Sequence, residues 1–164
     1  MVILDILAAI LLFAPLCFAA ISDYRHMIVP NWVSGLIALG FVIFAAGHWA
    51  AIDLQMHLVI AAVFFGIALI CWFAGWLGGG DVKLLGAVGL WLGTPYAFAF
   101  LFILAVVSAT LSASLLVVRK LLKRPVDSFA PVLQPAMRMA HSGQFAYAIP
   151  IVVASLATLP RHFL

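Results

Sequence analysis

Gly78-Gly79-Gly80-Asp81-Val82-Lys83 interrupts an otherwise apolar chain, and its reading decides the fold. One apolar run, residues 56–77, leads into it, and another, residues 84–93, leads out. Three consecutive glycines expose the backbone and permit unusual dihedrals. The aspartate that follows them therefore lies at the edge of a lipid bilayer or within it. A carboxylate in that position is costly and points to a function. A second acid, Asp23, closes the first apolar run in the same manner. The organising question is whether the two acids meet.

The composition sets the class. The 164 residues are 68% hydrophobic and only 8% charged, with a mean hydropathy of +1.29. Soluble domains carry about 25% charged residues, so these side chains cannot cover a water-exposed globule. The expected fold is an all-α, polytopic membrane helix bundle in a single domain spanning 1–164, with abundant Ala and Gly allowing close helix approach. The net charge of +3 does not call for nucleic acid, because cations flanking membrane spans account for it. Cys17 and Cys71 both fall within apolar runs and read as small core residues. No CxxC pair is present, and neither metal nor cofactor is expected.

Apolar runs cover about 2–21, 32–47, 56–77, 84–93, 96–118 and 145–159. A span needs roughly 20 apolar residues; the fourth run reaches only half of that unless its helix starts back at the glycines. Asp5 and the lack of an early cation mark the first run as a retained span rather than a cleaved signal. Charge sorting favours six crossings with the N-terminus and C-terminus outside. Arg25, Lys83, Arg119, Lys120, Lys123, Arg124 and Arg138 then lie inside, with Arg161 alone outside. Fusing the fourth and fifth runs would break this sorting. Six crossings put Asp23 and Asp81 on one side, the cytoplasmic one, and His48 and His57 on the other. Trp32, Trp72, Trp76 and Trp91 read as interfacial belt residues. In the hydrophilic segment 119–144, the basic residues meet lipid headgroups, and Pro125, Pro131 and Pro135 interrupt any continuous helix. That segment reads as a membrane-hugging loop.

Taken singly, Asp23 is an interfacial charge beside Arg25 and His26, and Asp81 is a helix N-cap. Taken together, at matched depth, they suit peptide hydrolysis. One carboxylate accepts a proton from water while the other, protonated, donates to the scissile carbonyl oxygen. Carboxylates sharing a site resist joint ionisation, so the pair holds one proton. A helix start at Asp81 and the nearby Lys83 favour its ionised form, which would leave the proton on Asp23.

At this point the residues resemble a known family. Asp23-Tyr24-Arg25-His26-Met27-Ile28-Val29-Pro30-Asn31 is similar to the first motif of prepilin peptidases: an aspartate, basic residues, then Ile/Val-Pro-Asn. Gly78-Gly79-Gly80-Asp81 resembles their GxGD motif, 58 positions further on when counted between the aspartates. The likeness runs from about residue 15 to 120 and, by length, matches the short form that serves tight-adherence or Flp-type pili. Tyr147 in Ala146-Tyr147-Ala148 stands where the family usually has Pro-Tyr-Gly.

The resemblance implies an aspartic endopeptidase of the bacterial inner membrane. It would cut the cytosolic leader of type IV-like prepilins after a glycine, just before the pilin's hydrophobic helix. Asp23 and Asp81 would be catalytic, with Gly78, Gly79, Gly80, Lys83, Arg25, Pro30 and Asn31 shaping the pocket. Its partners would be the prepilin and membrane lipids, with a second copy of the chain as a further candidate. Longer members carry an extra N-terminal domain with paired CxxC motifs and also N-methylate the product. No stretch of this sequence matches that domain, so cleavage without methylation or zinc is the expectation. The rival readings are a presenilin-type protease, a purely structural membrane subunit, and a small proton- or cation-coupled transporter using intramembrane Asp residues.

Overall fold

The computed structural model describes residues 2–121, 133–142 and 145–159. Among these there are six helices and no strand: α1 (Val2–His26), α2 (Asn31–Gly47), α3 (Leu54–Phe73), α4 (Gly79–Leu121), α5 (Gln134–Ser142) and α6 (Ala148–Thr158). The segments Val2–His26, Leu54–Phe73 and Tyr96–Lys120 are long and apolar enough to cross a membrane, and Asn31–Gly47 and Ala148–Thr158 are shorter apolar helices. The chain is thus a polytopic helical membrane protein. Lys123, Arg124, Pro125, Pro131 and Arg161, which carried part of the charge sorting and loop reading, lie outside the described residues.

The fourth apolar run does begin at the glycines, since α4 starts at Gly79. Its helix is broken at Gly93, where φ 54° and ψ −175° fall in a region that favours glycine. A Cβ at Gly93 would lie 2.9 Å from the His57 ring, so the bend presses directly on the start of α3. The break divides α4 into two arms, 79–92 and 94–121, and the second doubles back. Gly89 of the first arm abuts Ala61 and Phe64, and Phe100 of the second packs on the same Phe64 with ring centroids 5.6 Å apart. The fourth and fifth apolar runs therefore lie on separate arms; of the two, Tyr96–Lys120 is long and apolar enough to cross a membrane.

Side-chain contacts fix the remaining directions. Asp5 and His48 approach to 3.6 Å at one end of α1 and α2, and Phe18 meets Trp32 at the other, so these helices are antiparallel. Gly40 makes their crossing close, because a Cβ there would lie 2.9 Å from Leu11 Cβ. The first arm of α4 lies along α2, with Lys83 at Asn31 and Trp91 at Ile37. The core between these elements includes Leu12, Leu16, Val33, Ile37, Leu84, Val88 and Trp91.

Three sequence expectations are corrected. Trp91 is not an interfacial residue: it is 1% exposed, and its indole donates to the Ile37 carbonyl at 3.0 Å. That partner satisfies its N–H inside the bundle. Cys17 is exposed and Cys71 half-buried, so neither is a core residue. Part of the hydrophilic segment is a helix, α5, because Pro135 stands in its first turn, where a missing N–H breaks no intrahelical bond.

Candidate active site

Three chain breaks converge at one end of the bundle: the α1–α2 link, the α3–α4 link and the start of α6. The first is tight. Met27 leaves α1 at φ 55°, an uncommon value for a residue with a side chain, and its N–H still reaches the Asp23 carbonyl at 2.9 Å. Ser22 Oγ donates to the Ile28 carbonyl at 2.7 Å and folds the link back. Pro30, extended at φ −65° and ψ 143°, then sets the start of α2 at Asn31.

Against this link the glycines do their part by lacking side chains. A Cβ on Gly80 would lie 2.8 Å from the Val29 carbonyl oxygen and 2.9 Å from Val29 Cβ. Only a glycine lets α4 begin so close to the α1–α2 link, which places Asp81 beside the end of α1. Gly78 is also tight, since a Cβ there would meet Asp81 Oδ2 at 3.0 Å. Gly79 has more room, its nearest neighbour being Trp72 Nε1 at 3.6 Å. The positive-φ glycines among the described residues are Gly75 and Gly93, so the triplet supplies close approach rather than unusual dihedrals.

Asp23 and Asp81 border one cavity of about 510 Å³, together with Met27, Leu77, Gly78 and Tyr147. Both acids are buried, at 5% and 6% exposure, and both line this shared space. Asp23 Oδ2 accepts the Ala148 N–H at 2.9 Å. That amide is one of the unpaired donors at the start of α6, so Asp23 caps a helix distant in sequence. The Gly78 backbone hydrogen-bonds to the Asp81 carboxyl, while Asp81 Oδ1 is buried with no hydrogen-bond partner among the described residues. A buried carboxyl oxygen without a partner calls for one, such as a water or a peptide carbonyl.

The other sequence candidates are distributed around this cavity rather than in it. Lys83 Nζ donates to Asn31 Oδ1 at 2.8 Å and makes no ion pair with Asp81 among the described residues. The argument that Lys83 holds Asp81 ionised therefore loses its geometric basis. The Lys83–Asn31 bond instead ties α4 to the start of α2. Arg25 borders a different cavity with His26 and Arg138, between the end of α1 and α5. His48 and His57 stand at the opposite end of the bundle, where His57 Nδ1 lies 2.6 Å from the Leu90 carbonyl.

Three contributors were not put forward from the sequence. Tyr147 forms one wall of the cavity, with Phe145 edge-on to it at 4.7 Å between centroids. The Ala148 amide and the strained Met27 complete the set. Only Tyr147 carried a sequence signal, through its place in the Ala146-Tyr147-Ala148 stretch. A backbone amide leaves none.

Comparison with known proteins gives two matches. The model of the type IV leader peptidase family matches residues 10–113, which include both aspartates. A prepilin leader peptidase/N-methyltransferase of Bacillus subtilis (strain 168) is 28% identical over 143 residues, covering 84% of this chain and 56% of that protein. The chain thus spans just over half the length of that relative. No solved structure matches the chain.

Proposed function

Because the chain belongs to the type IV leader peptidase family, we propose that it is a membrane aspartic endopeptidase that removes the leader of type IV-like prepilins after a glycine. The observation that supports this most is the single cavity bordered by Asp23 and Asp81, two acids from separate helices. In this reading a water lies between the carboxyl groups, which hold one proton between them. The ionised carboxylate takes a proton from the water as its oxygen attacks the scissile carbonyl carbon, and the protonated partner donates to the carbonyl oxygen. Collapse of the tetrahedral intermediate breaks the C–N bond: the carboxyl that gained the water proton passes it to the leaving amine, and the other carboxylate takes a proton back from a hydroxyl of the intermediate as the carbonyl re-forms. The pair ends with one proton, as it began. No metal or cofactor takes part in this scheme.

The protein is placed in the bacterial cytoplasmic membrane with the aspartate end toward the cytoplasm. Arg25, Lys83, Arg119, Lys120 and Arg138 in the elements that end or begin there support that orientation. Prepilin is the substrate, and its hydrophobic helix remains in the lipid while the leader enters from the cytosol. The methyltransferase activity in the relative's name is not carried over to this chain.

The test is purified protein mixed with a prepilin peptide, with the products read by mass spectrometry. The wild type should cut once, after the glycine. Asp23→Asn and Asp81→Asn should each lower the rate by several orders of magnitude, since acid and base act as a unit. A single variant that keeps near-normal cleavage would remove that acid from the mechanism. Ion flux without proteolysis would favour the transporter instead.

A further inference from the structure

Arg25, His26 and Arg138 line a separate cavity of about 720 Å³, between the last turn of α1, α5 and the first turn of α6. That volume lies within the range of small-molecule clefts. Its other walls include Ala20, Ile21 and Ile149, and no acidic side chain lines it. Asp23, the acid nearest to Arg25 in sequence, lines the other cavity and accepts the Ala148 amide. Neither Arg25 nor Arg138 makes an ion pair among the described residues.

The cavity is layered along the axis of α1. Arg25 and His26 close that helix, which is long and apolar enough to cross a membrane. Ile21 stands one turn earlier, roughly 6 Å deeper along the axis. On α5, Arg138 is exposed while its neighbours Met137 and Met139 are buried, so the helix packs its methionines on the protein and leaves Arg138 at the surface. Cations at the end of a span, with an apolar wall just below them, match the profile of a phospholipid: phosphate above, glycerol and acyl chain beneath. A guanidinium meets a phosphate through two parallel N–H donors. Basic pockets between membrane helices on the cytoplasmic side take anionic head groups in this way. Free phosphate would gain nothing from the apolar wall, which favours the lipid.

We propose that this cavity binds one anionic phospholipid, its phosphate held between Arg25 on α1 and Arg138 on α5 and its upper acyl chain against Ala20, Ile21 and Ile149. The bound lipid ties α5 to the end of α1. The inference is independent of the peptidase chemistry, since none of these residues lines the cavity of the aspartates.

The experiment is native mass spectrometry of the full-length protein released from detergent, after titration with phosphatidylglycerol, phosphatidylcholine or inorganic phosphate. Phosphatidylcholine carries the same phosphate with its charge cancelled. The wild type should retain one phosphatidylglycerol about tenfold more tightly than phosphatidylcholine, and excess inorganic phosphate should not displace it. Arg25→Gln combined with Arg138→Gln should weaken phosphatidylglycerol about tenfold or more, the scale of two cations near an anionic surface. Arg119→Gln combined with Lys120→Gln removes the same charge outside the cavity's walls and should have little effect. Ala20→Phe fills the apolar wall without changing charge and should weaken both lipids. Equal losses in the two double variants would overturn the site by reducing it to general surface charge, as would equal retention of the two lipids by the wild type. Displacement by inorganic phosphate would overturn the lipid assignment and leave a site for a free anion.

Discussion

Gly80 lies so close to Val29 that a Cβ built on it falls 2.8 Å from the Val29 carbonyl oxygen. Backbone cannot yield as a side-chain tip can, so this contact sets how near the start of α4 comes to the end of α1. The distance between the two aspartates is thus governed by a residue with no functional group. Gly80→Ala should destabilise the fold by about 1–3 kcal/mol, the usual penalty for overpacking, and should depress cleavage beyond that loss. Gly79→Ala should be tolerated, since its nearest neighbour is 3.6 Å away. Thermal unfolding in detergent together with peptide cleavage checks both. Equal behaviour of the two variants would refute the close-approach role.

Asp23 has a structural task beside its proposed chemical one, because it caps α6 through the Ala148 amide. Asp23→Asn keeps an oxygen acceptor and should leave stability nearly unchanged while removing activity. Asp23→Ala should add a loss of about 1 kcal/mol, the typical worth of a cap. Comparison of the two unfolding midpoints separates the cap from the chemistry.

Lys83 and Asn31 should couple to one another and not to the aspartates. Their hydrogen bond is exposed at 2.8 Å, so a double-mutant cycle with Lys83→Met and Asn31→Ala should give about 0.5–1.5 kcal/mol of coupling. The pH profile of cleavage should be the same in Lys83→Met as in the wild type. A shifted profile would return Lys83 to a role at Asp81.

Gly93 stands at the opposite end of the bundle, and its replacement tests the fold alone. Gly93→Ala combines a left-handed φ of 54° with a contact of 2.9 Å to His57. It should lower stability by roughly 1–3 kcal/mol. Cleavage per folded molecule should be unaffected, as the aspartate cavity lies a helix length away.

Much of the architecture was legible because lipid imposes simple rules. Runs of apolar residues had to be helices, and the sorting of the cations called for a turn between the fourth run and the fifth. That sorting separated the fourth run from the fifth, although a single helical stretch covers both apart from Gly93. The two acids were legible because carboxylates are rare in such a chain. What the residues could not disclose depended on tertiary contact. The need for glycine at position 80 comes from Val29, which lies far away in sequence. Trp91 looked interfacial until Ile37 supplied a buried acceptor for its indole. Lys83 looked like a counter-ion until Asn31 lay nearer. The Ala148 amide has no side-chain signature.

The central claim is that Asp23 and Asp81 face each other across one small space. In a background with Cys17→Ala and Cys71→Ala, the pair Asp23→Cys and Asp81→Cys should be bridged by a short bis-thiol reagent within a single chain. The pair Asp5→Cys and His48→Cys serves as control, because those side chains approach to 3.6 Å at the other end. Bridging of both pairs is the predicted result. Bridging of the control pair alone would contradict the account.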